Sequence, residues 1–288
     1  MNAQLVTPEL RRWIIEQAQT GCQPETLLAS MRASGWDEAI AATALEQTLR
    51  DYLGEHAQAQ ALAQPPLPPT VPVPEPDLSA QPARLWAYDR EVAVLLTMRN
   101  PRVVVFGGLL SDDECDALVA AAAPRMARSE TVVNATGDNE VNAARTSSGM
   151  FFGRGESALC QRIESRIAAL VHWPVQNGEG LQVLHYQPGA EYKPHHDYFD
   201  PAQPGMSRVL ERGGQRVGTL VMYLNTPRQG GGTTFPDVGL EVAPVKGNAV
   251  FFSYDRPHPV TRTLHGGAPV LAGEKWVATK WLREGEFN

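Results

Sequence analysis

Eight prolines fall between Pro65 and Pro82. Each ring fixes φ and removes a backbone donor, so neither a helix nor a central strand can run through that stretch. Residues 54–84, otherwise rich in Ala and Gln, read as a semi-extended linker that divides the chain. Of the 288 residues, this leaves 1–53 on one side and 85–288 on the other. The second part is long enough to bury a core of its own, and 43% hydrophobic residues supply the material for it.

Residues 1–53 carry the marks of three short helices. Thr7-Pro8 is a cap followed by a proline at the first helical position, and Gly21 is a stop. Leu10, Trp13, Ile14 and Ala18 recur at helical spacing between them. A second piece with Leu27, Leu28 and Met31 ends at Gly35, and a third starts at Asp37. Such a small bundle reads as an interaction module with a protein partner.

From Arg84 the texture becomes strand-like, with apolar runs at 92–98 and 102–106. Ser111 and Glu114 form a capping box that opens a helix reaching Ala123, and a second helix fits 156–172. Short strands follow at 181–186, 216–224, 240–243, 248–253, 259–265 and 275–282, punctuated by Gly and Pro. Mostly β structure with flanking helices, in a sandwich or barrel, is the expectation, rather than alternating βαβ units. The net charge of −7 argues against a phosphate backbone as partner, so no nucleic acid is expected. No apolar run approaches the ~20 residues of a membrane span. Three widely spaced cysteines, Cys22, Cys115 and Cys160, suggest neither disulfides nor a thiolate metal site, which fits a cytoplasmic setting.

Chemistry concentrates in Tyr192-Lys-Pro-His195-His196-Asp197-Tyr198-Phe199. In a strand, residues i and i+2 share a face, so His195 and Asp197 can converge on one ion while His196 points away. Two nitrogen donors and a carboxylate, with open positions left over, suit a non-haem Fe(II) site. The missing donor is His258 or His265. His258 lies in the turn-like Asp255-Arg-Pro-His-Pro, whereas His265 closes an expected strand, which favours His265. Lys275 opens the last strand, and a lysine aimed into an apolar pocket is costly unless it meets an anion. Lys280, five positions on, points to the opposite face.

Together these residues resemble the catalytic domain of prolyl 4-hydroxylases. The stretches that carry the resemblance are Leu109–Cys115, Arg145–Gly149, Leu181–Tyr186, Tyr192–Phe199, Gly213–Leu224, and Leu264–Val270 with Gly273–Trp276. The resemblance implies a double-stranded β-helix, a jelly-roll variant, over residues 85–288. It implies Fe(II) held by His195, Asp197 and His265, and 2-oxoglutarate with its distal carboxylate on Lys275, assisted by Tyr186 and Thr233. Tyr192, Arg216 and Trp281 match residues lining a peptide site beside a target proline. Dioxygen as second cosubstrate and ascorbate as reductant follow from the same likeness, as do succinate and CO₂ as co-products. One departure is Gly247-Asn-Ala-Val-Phe-Phe-Ser253, where the family commonly carries a late Trp. Absence of the extra cysteines of secreted members points to a bacterial or cytoplasmic type. The segments 131–144 and 200–214 read as loops that order over a substrate. The same chemistry on a free amino acid or other small molecule, and a binding module without catalysis, are the competing readings.

Overall fold

In a computed structural model of the chain, residues 6–63, 66–128, 131–132, 139–140 and 146–288 are described. The chain separates into two compact units, Met1–Leu67 and Pro68–Asn288.

The first unit holds three helices, α1 (Pro8–Gln19), α2 (Pro24–Ala33) and α3 (Glu38–Ala63). Thr7 caps α1 by accepting from the Leu10 amide, and the Asp37 carboxylate accepts from the Ala39 and Ile40 amides at the start of α3. Gly21 and Gly35 follow the first two helices with positive φ, the left-handed conformation glycine adopts at no steric cost. Ile14, Leu27, Met31, Ala41 and Leu45 are buried together as the core of this unit. Helix α3 runs past residue 53 to Ala63, into the stretch read as linker. Its Ala, Gln and Glu content favours helix, and Pro65 supplies the stop.

The second unit is mostly β. Along the chain lie β1 (Arg84–Ala87), β2 (Arg90–Met98), β3 (Arg102–Gly107), α4 (Asp112–Ala122), β4 (Ala127–Arg128), β5 (Thr131–Val132), β6 (Asn139–Glu140), β7 (Ser148–Phe152) and α5 (Ala158–Leu170). They are followed by β8 (Leu181–Tyr186), β9 (Tyr192–His195), α6 (Met206–Leu210), β10 (Arg216–Tyr223), β11 (Gln229–Gly230), β12 (Thr233–Phe235) and β13 (Leu240–Val242). The remaining strands are β14 (Ala249–Ser253), β15 (His265–Gly267), β16 (Val270–Ala272) and β17 (Lys275–Arg283). Nine strands form one sheet in the order β1-β2-β3-β14-β10-β17-β8-β7-β4, and four form a second in the order β13-β12-β15-β9.

Alternation along the strands builds two cores. Leu181 and Val183 of β8, Ala249 and Phe251 of β14, and Trp276, Ala278 and Leu282 of β17 pack with residues of α4 and α5, among them Leu118, Ile163 and Ile167. The opposite parity, Leu184, Tyr186, Val250, Phe252 and Val277, packs with Phe235 and Val242 of the four-stranded sheet. Between α5 and the large sheet a charged pair is sealed in: the Lys280 ammonium lies 2.6 Å from Glu164, both fully buried.

Two segments differ from the expectation. Residues 259–265 are not a strand: Pro259–Thr261 form a 3-10 turn and β15 begins at His265. The His258 side chain accepts from the Val260 amide and Pro259 sits at the first position, a capped turn that competes with extended backbone. Within 200–214 a short helix, α6, forms, and the Gln215 amide exchanges two 2.7 Å hydrogen bonds with the backbone of Phe199. The segment is thereby pinned at its base. The loop expectation at 131–144 and the motif residue Arg145 lie largely outside the described residues. Among the described residues no helix is long and apolar enough to cross a membrane.

Candidate metal centre

Strand β9 pairs with β15 so that His195 stands opposite His265. Asp197 lies just beyond the end of β9, not within it, and still turns to the same side. One ligand atom from each of His195, Asp197 and His265 lies within 4.8 Å of the others. Asp197 is the hub: Oδ1 is 3.5 Å from His195 Nε2 and Oδ2 is 3.5 Å from His265 Nε2. His196 turns away and stacks on Tyr198, and His258 is spent on its turn.

The tautomers follow from the backbone. His195 Nδ1 is 2.9 Å from the Lys193 carbonyl oxygen, and His265 Nδ1 is 3.0 Å from that of Thr263. A carbonyl oxygen accepts only, so each Nδ1 carries the proton and each Nε2 presents a lone pair toward Asp197. Burial pushes His265 down to about 4, with Asp197 opposing, which keeps that ring neutral. For Asp197, burial works to raise the pKa, but His265, His195 and the nearby Arg216 hold it far below the carboxylate range. Thr219 fixes the second carboxylate oxygen: its hydroxyl lies 2.7 Å from Asp197 Oδ2 and 2.9 Å from the Tyr254 hydroxyl.

Two neutral imidazole nitrogens and an ionised, buried carboxylate form a donor set that a divalent first-row ion satisfies. Ligand atoms bound to one such ion at about 2.1 Å sit about 3 Å apart in a facial arrangement. Taken one atom per residue, the observed ligand atoms lie within 4.8 Å of one another, so the side chains would draw together around an ion.

The three side chains open onto a cavity of about 50 Å³ that is also lined by Tyr186, Tyr192, Thr233, Lys275 and Trp281. Lys275 faces it because it shares the parity of Val277, Thr279 and Trp281 on β17. Register places Lys275 opposite Tyr186, and its ammonium stands 5.2 Å from the tyrosine ring centre. Burial brings Lys275 down to about 8, and Glu241 only partly opposes this. Space around the lysine comes from glycine. A β-carbon on Gly267 would stand 3.7 Å from its nitrogen, and one on Gly231, with φ of +76°, would stand 3.2 Å from Cδ. Thr233 accepts a 2.8 Å hydrogen bond from the Tyr223 hydroxyl, and Tyr192 stacks on His195 at 3.7 Å. Trp281 presents a buried ring N–H with no acceptor among the described residues.

Arg216 stands behind this cavity and is not part of its lining. It donates twice to Glu179, at 2.7 and 2.9 Å, and lies 3.9 Å over the ring of Trp281. Sequence reading named neither Glu179 nor the Thr219–Tyr254 pair. Thr219 had one signal, a hydroxyl in the middle of the apolar strand Val217–Tyr223. Glu179 between two glycines had none.

Comparison with known proteins bears on the same residues. Residues 181–283, which contain all three candidate ligands and Lys275, match the family model of the 2OG-Fe(II) oxygenase superfamily. Two Arabidopsis thaliana proteins are similar over most of their length. Probable prolyl 4-hydroxylase 3 is 39% identical over 210 residues, 66% of this chain and 71% of that protein. Prolyl 4-hydroxylase 1 is 40% identical over 225 residues, 69% of this chain and 77% of that protein. Among solved structures, the viral collagen prolyl hydroxylase of Paramecium Bursaria Chlorella virus-1 aligns with 63% of this chain and 95% of its own at 31% identity, with a TM-score of 0.47. Identity of this degree, over more than two thirds of the relatives, assigns the chain to the prolyl 4-hydroxylase family of 2-oxoglutarate-dependent dioxygenases.

Proposed function

We propose that the protein hydroxylates a proline residue within a polypeptide, at C4. The observation that carries this reading is the joint placement of His195, Asp197 and His265 at one end of a small cavity whose lining also holds the buried Lys275. His195, Asp197 and His265 would hold Fe(II), and Lys275 would take the distal carboxylate of 2-oxoglutarate. Iron, loaded with 2-oxoglutarate and dioxygen, supplies the oxidising power to insert one oxygen atom into a C–H bond, with succinate and CO₂ as co-products and ascorbate as reductant.

The chain's own residues bind, orient and exclude water. A buried ammonium gains most from a carboxylate brought into the same dry space, because the pair is screened least there. The Tyr186 ring borders the lysine, and Thr233, held by Tyr223, closes the cavity. Tyr192 and Trp281 face the ligand end and suit a five-membered ring held between aromatic surfaces. The orphaned Trp281 N–H would donate to a substrate carbonyl. Arg216, anchored by Glu179, holds the Trp281 ring in place from behind. The barrel enclosing the cavity is read as the jelly-roll type, and the helical unit α1–α3 as a protein-binding module.

The test is turnover with Fe(II) and 2-oxoglutarate: succinate released in step with a 16 Da gain confined to proline, both abolished in His195→Ala. Succinate release without a proline product, or turnover of free proline in preference to peptides, overturns the peptidyl-proline reading.

A further inference from the structure

A second hollow lies behind Trp281. It encloses about 730 Å³ and is lined by five arginines, Arg154, Arg208, Arg212, Arg216 and Arg283. Glu179 is the one acidic side chain in its lining, among the described residues. In a chain of net charge −7 this is a local reversal of sign.

The charges are only partly cancelled in place. Glu179 is shared by Arg216 and Arg283, at 2.7 Å from the Nε of each. Arg154 donates to the carbonyls of Gln176 and Phe287, whereas Arg212 donates to the carboxylate oxygen of the last residue, Asn288, at 2.8 Å. The neutral carbonyls satisfy the donors of Arg154 and leave its charge standing. Arg208, exposed on α6, makes no ion pair with a described residue. The phenyl rings of Phe199 and Phe287 lie 4.4–5.2 Å from guanidinium carbons and give the hollow apolar, low-dielectric walls. Such walls strengthen the attraction for an anion.

The hollow is also well sited. Arg216 lies in its lining and stacks on Trp281, which lines the candidate metal cavity, so the two spaces share one wall. The cavity of about 50 Å³ is far too small to take a polypeptide, so the rest of such a substrate must lie outside it. Arg208 and Arg212 belong to the 200–214 segment that Gln215 pins beside the ligands.

We propose that this arginine-lined hollow is a subsite for an acidic side chain of the polypeptide substrate, so that the protein selects a proline with a Glu or Asp a few residues away. The proposal rests on the peptidyl-proline reading above. Guanidinium forks match a carboxylate in two points, and a glutamate's methylenes suit the phenyl walls.

The experiment uses the full chain and a short proline peptide in which one Glu is walked through successive positions on either side of the proline. Matched peptides carry Gln for Glu, and a third set carries Ala for Pro. Both equilibrium binding of labelled peptide and hydroxylation are read, against wild type and Arg208→Glu/Arg212→Glu. At one offset Glu should bind roughly tenfold tighter than Gln, lowering KM with kcat unchanged. The charge reversal should abolish that preference and leave the Gln peptide as it was, and added salt should erode it. Equal binding of Glu and Gln peptides at every offset overturns the proposal, as does an equal loss for both peptides in the variant. Turnover of the Ala-for-Pro set, or of none, counts against proline hydroxylation and leaves the binding comparison to decide the subsite separately.

Discussion

Lys275→Met removes a charge and changes little in volume, so it separates the cost of burying the ammonium from its use. Burial lowers the lysine from 10.5 to about 8. At 1.36 kcal/mol per pH unit, that fall makes the charged side chain a liability of ~3 kcal/mol in the ligand-free protein. Because the folded value is below the unfolded one, the unfolded chain binds more protons between about 8 and 10.5, and stability rises with pH across that window. At neutral pH the cost is present in full. The ligand-free methionine variant should therefore melt higher than wild type, by roughly 5–10 °C for a unit of this size. It should bind 2-oxoglutarate roughly a hundredfold more weakly, the loss expected when one partner of a desolvated charge pair is deleted. In wild type, 2-oxoglutarate affinity should hold below pH 8 and fall up to tenfold per pH unit above it, since the bound form needs the lysine protonated. Calorimetric melts of both proteins and 2-oxoglutarate titrations across pH measure all three effects. A variant that melts no higher and binds 2-oxoglutarate equally well would refute the reasoning.

Other perturbations reach different parts of the unit. Glu164→Ala leaves the Lys280 ammonium buried and unpaired and should cost ~3–5 kcal/mol in urea unfolding, whereas Glu164→Met with Lys280→Met should recover most of it. Thr219→Val deletes the hydroxyl that fixes Asp197 Oδ2; anaerobic metal titration should show affinity reduced by roughly tenfold or more, with Thr219→Ser close to wild type. His265 is buried with its pKa at about 4, so the unfolded chain binds the extra proton between there and 6.5. Ligand-free stability should fall by up to ~3 kcal/mol as pH drops through that window, and His265→Gln should flatten the slope.

The parts of the site legible from sequence were those set by strand parity. Lys275 facing away from Lys280 follows from alternation alone, and the structure has Lys280 on Glu164 and Lys275 in the cavity; the His195 and Asp197 spacing pointed to one side as well, although Asp197 lies past the end of β9. Capping chemistry was equally readable: Ser111 and Glu114 form the reciprocal pair that opens α4. What sequence did not show depends on long-range pairing. The choice of His265 over His258 rested on an expected strand that is in fact a capped turn, and what places His265 is its register against His195. Thr219, Tyr254 and Glu179 meet their partners from 22 to 104 positions away, so no local pattern marks them. The end of α3 is illegible in the sequence for a different reason. Helix-forming residues after 53 carry no apolar stripe, so periodicity does not mark them as helix.

Strand β17 lies between β10 and β8, and it is the seam of the nine-stranded sheet. During synthesis, β8, β7 and β4 on one side and the five strands from β1 to β10 on the other have no bridge until residue 283 has left the ribosome. The lysine that faces the candidate iron ligands rides on that same strand. A truncated or stalled product can thus display both histidines and the aspartate yet lack the keystone that seals their chamber. Closure of the chamber around the candidate ligands thus waits for the last strand of the chain to take its place in the sheet.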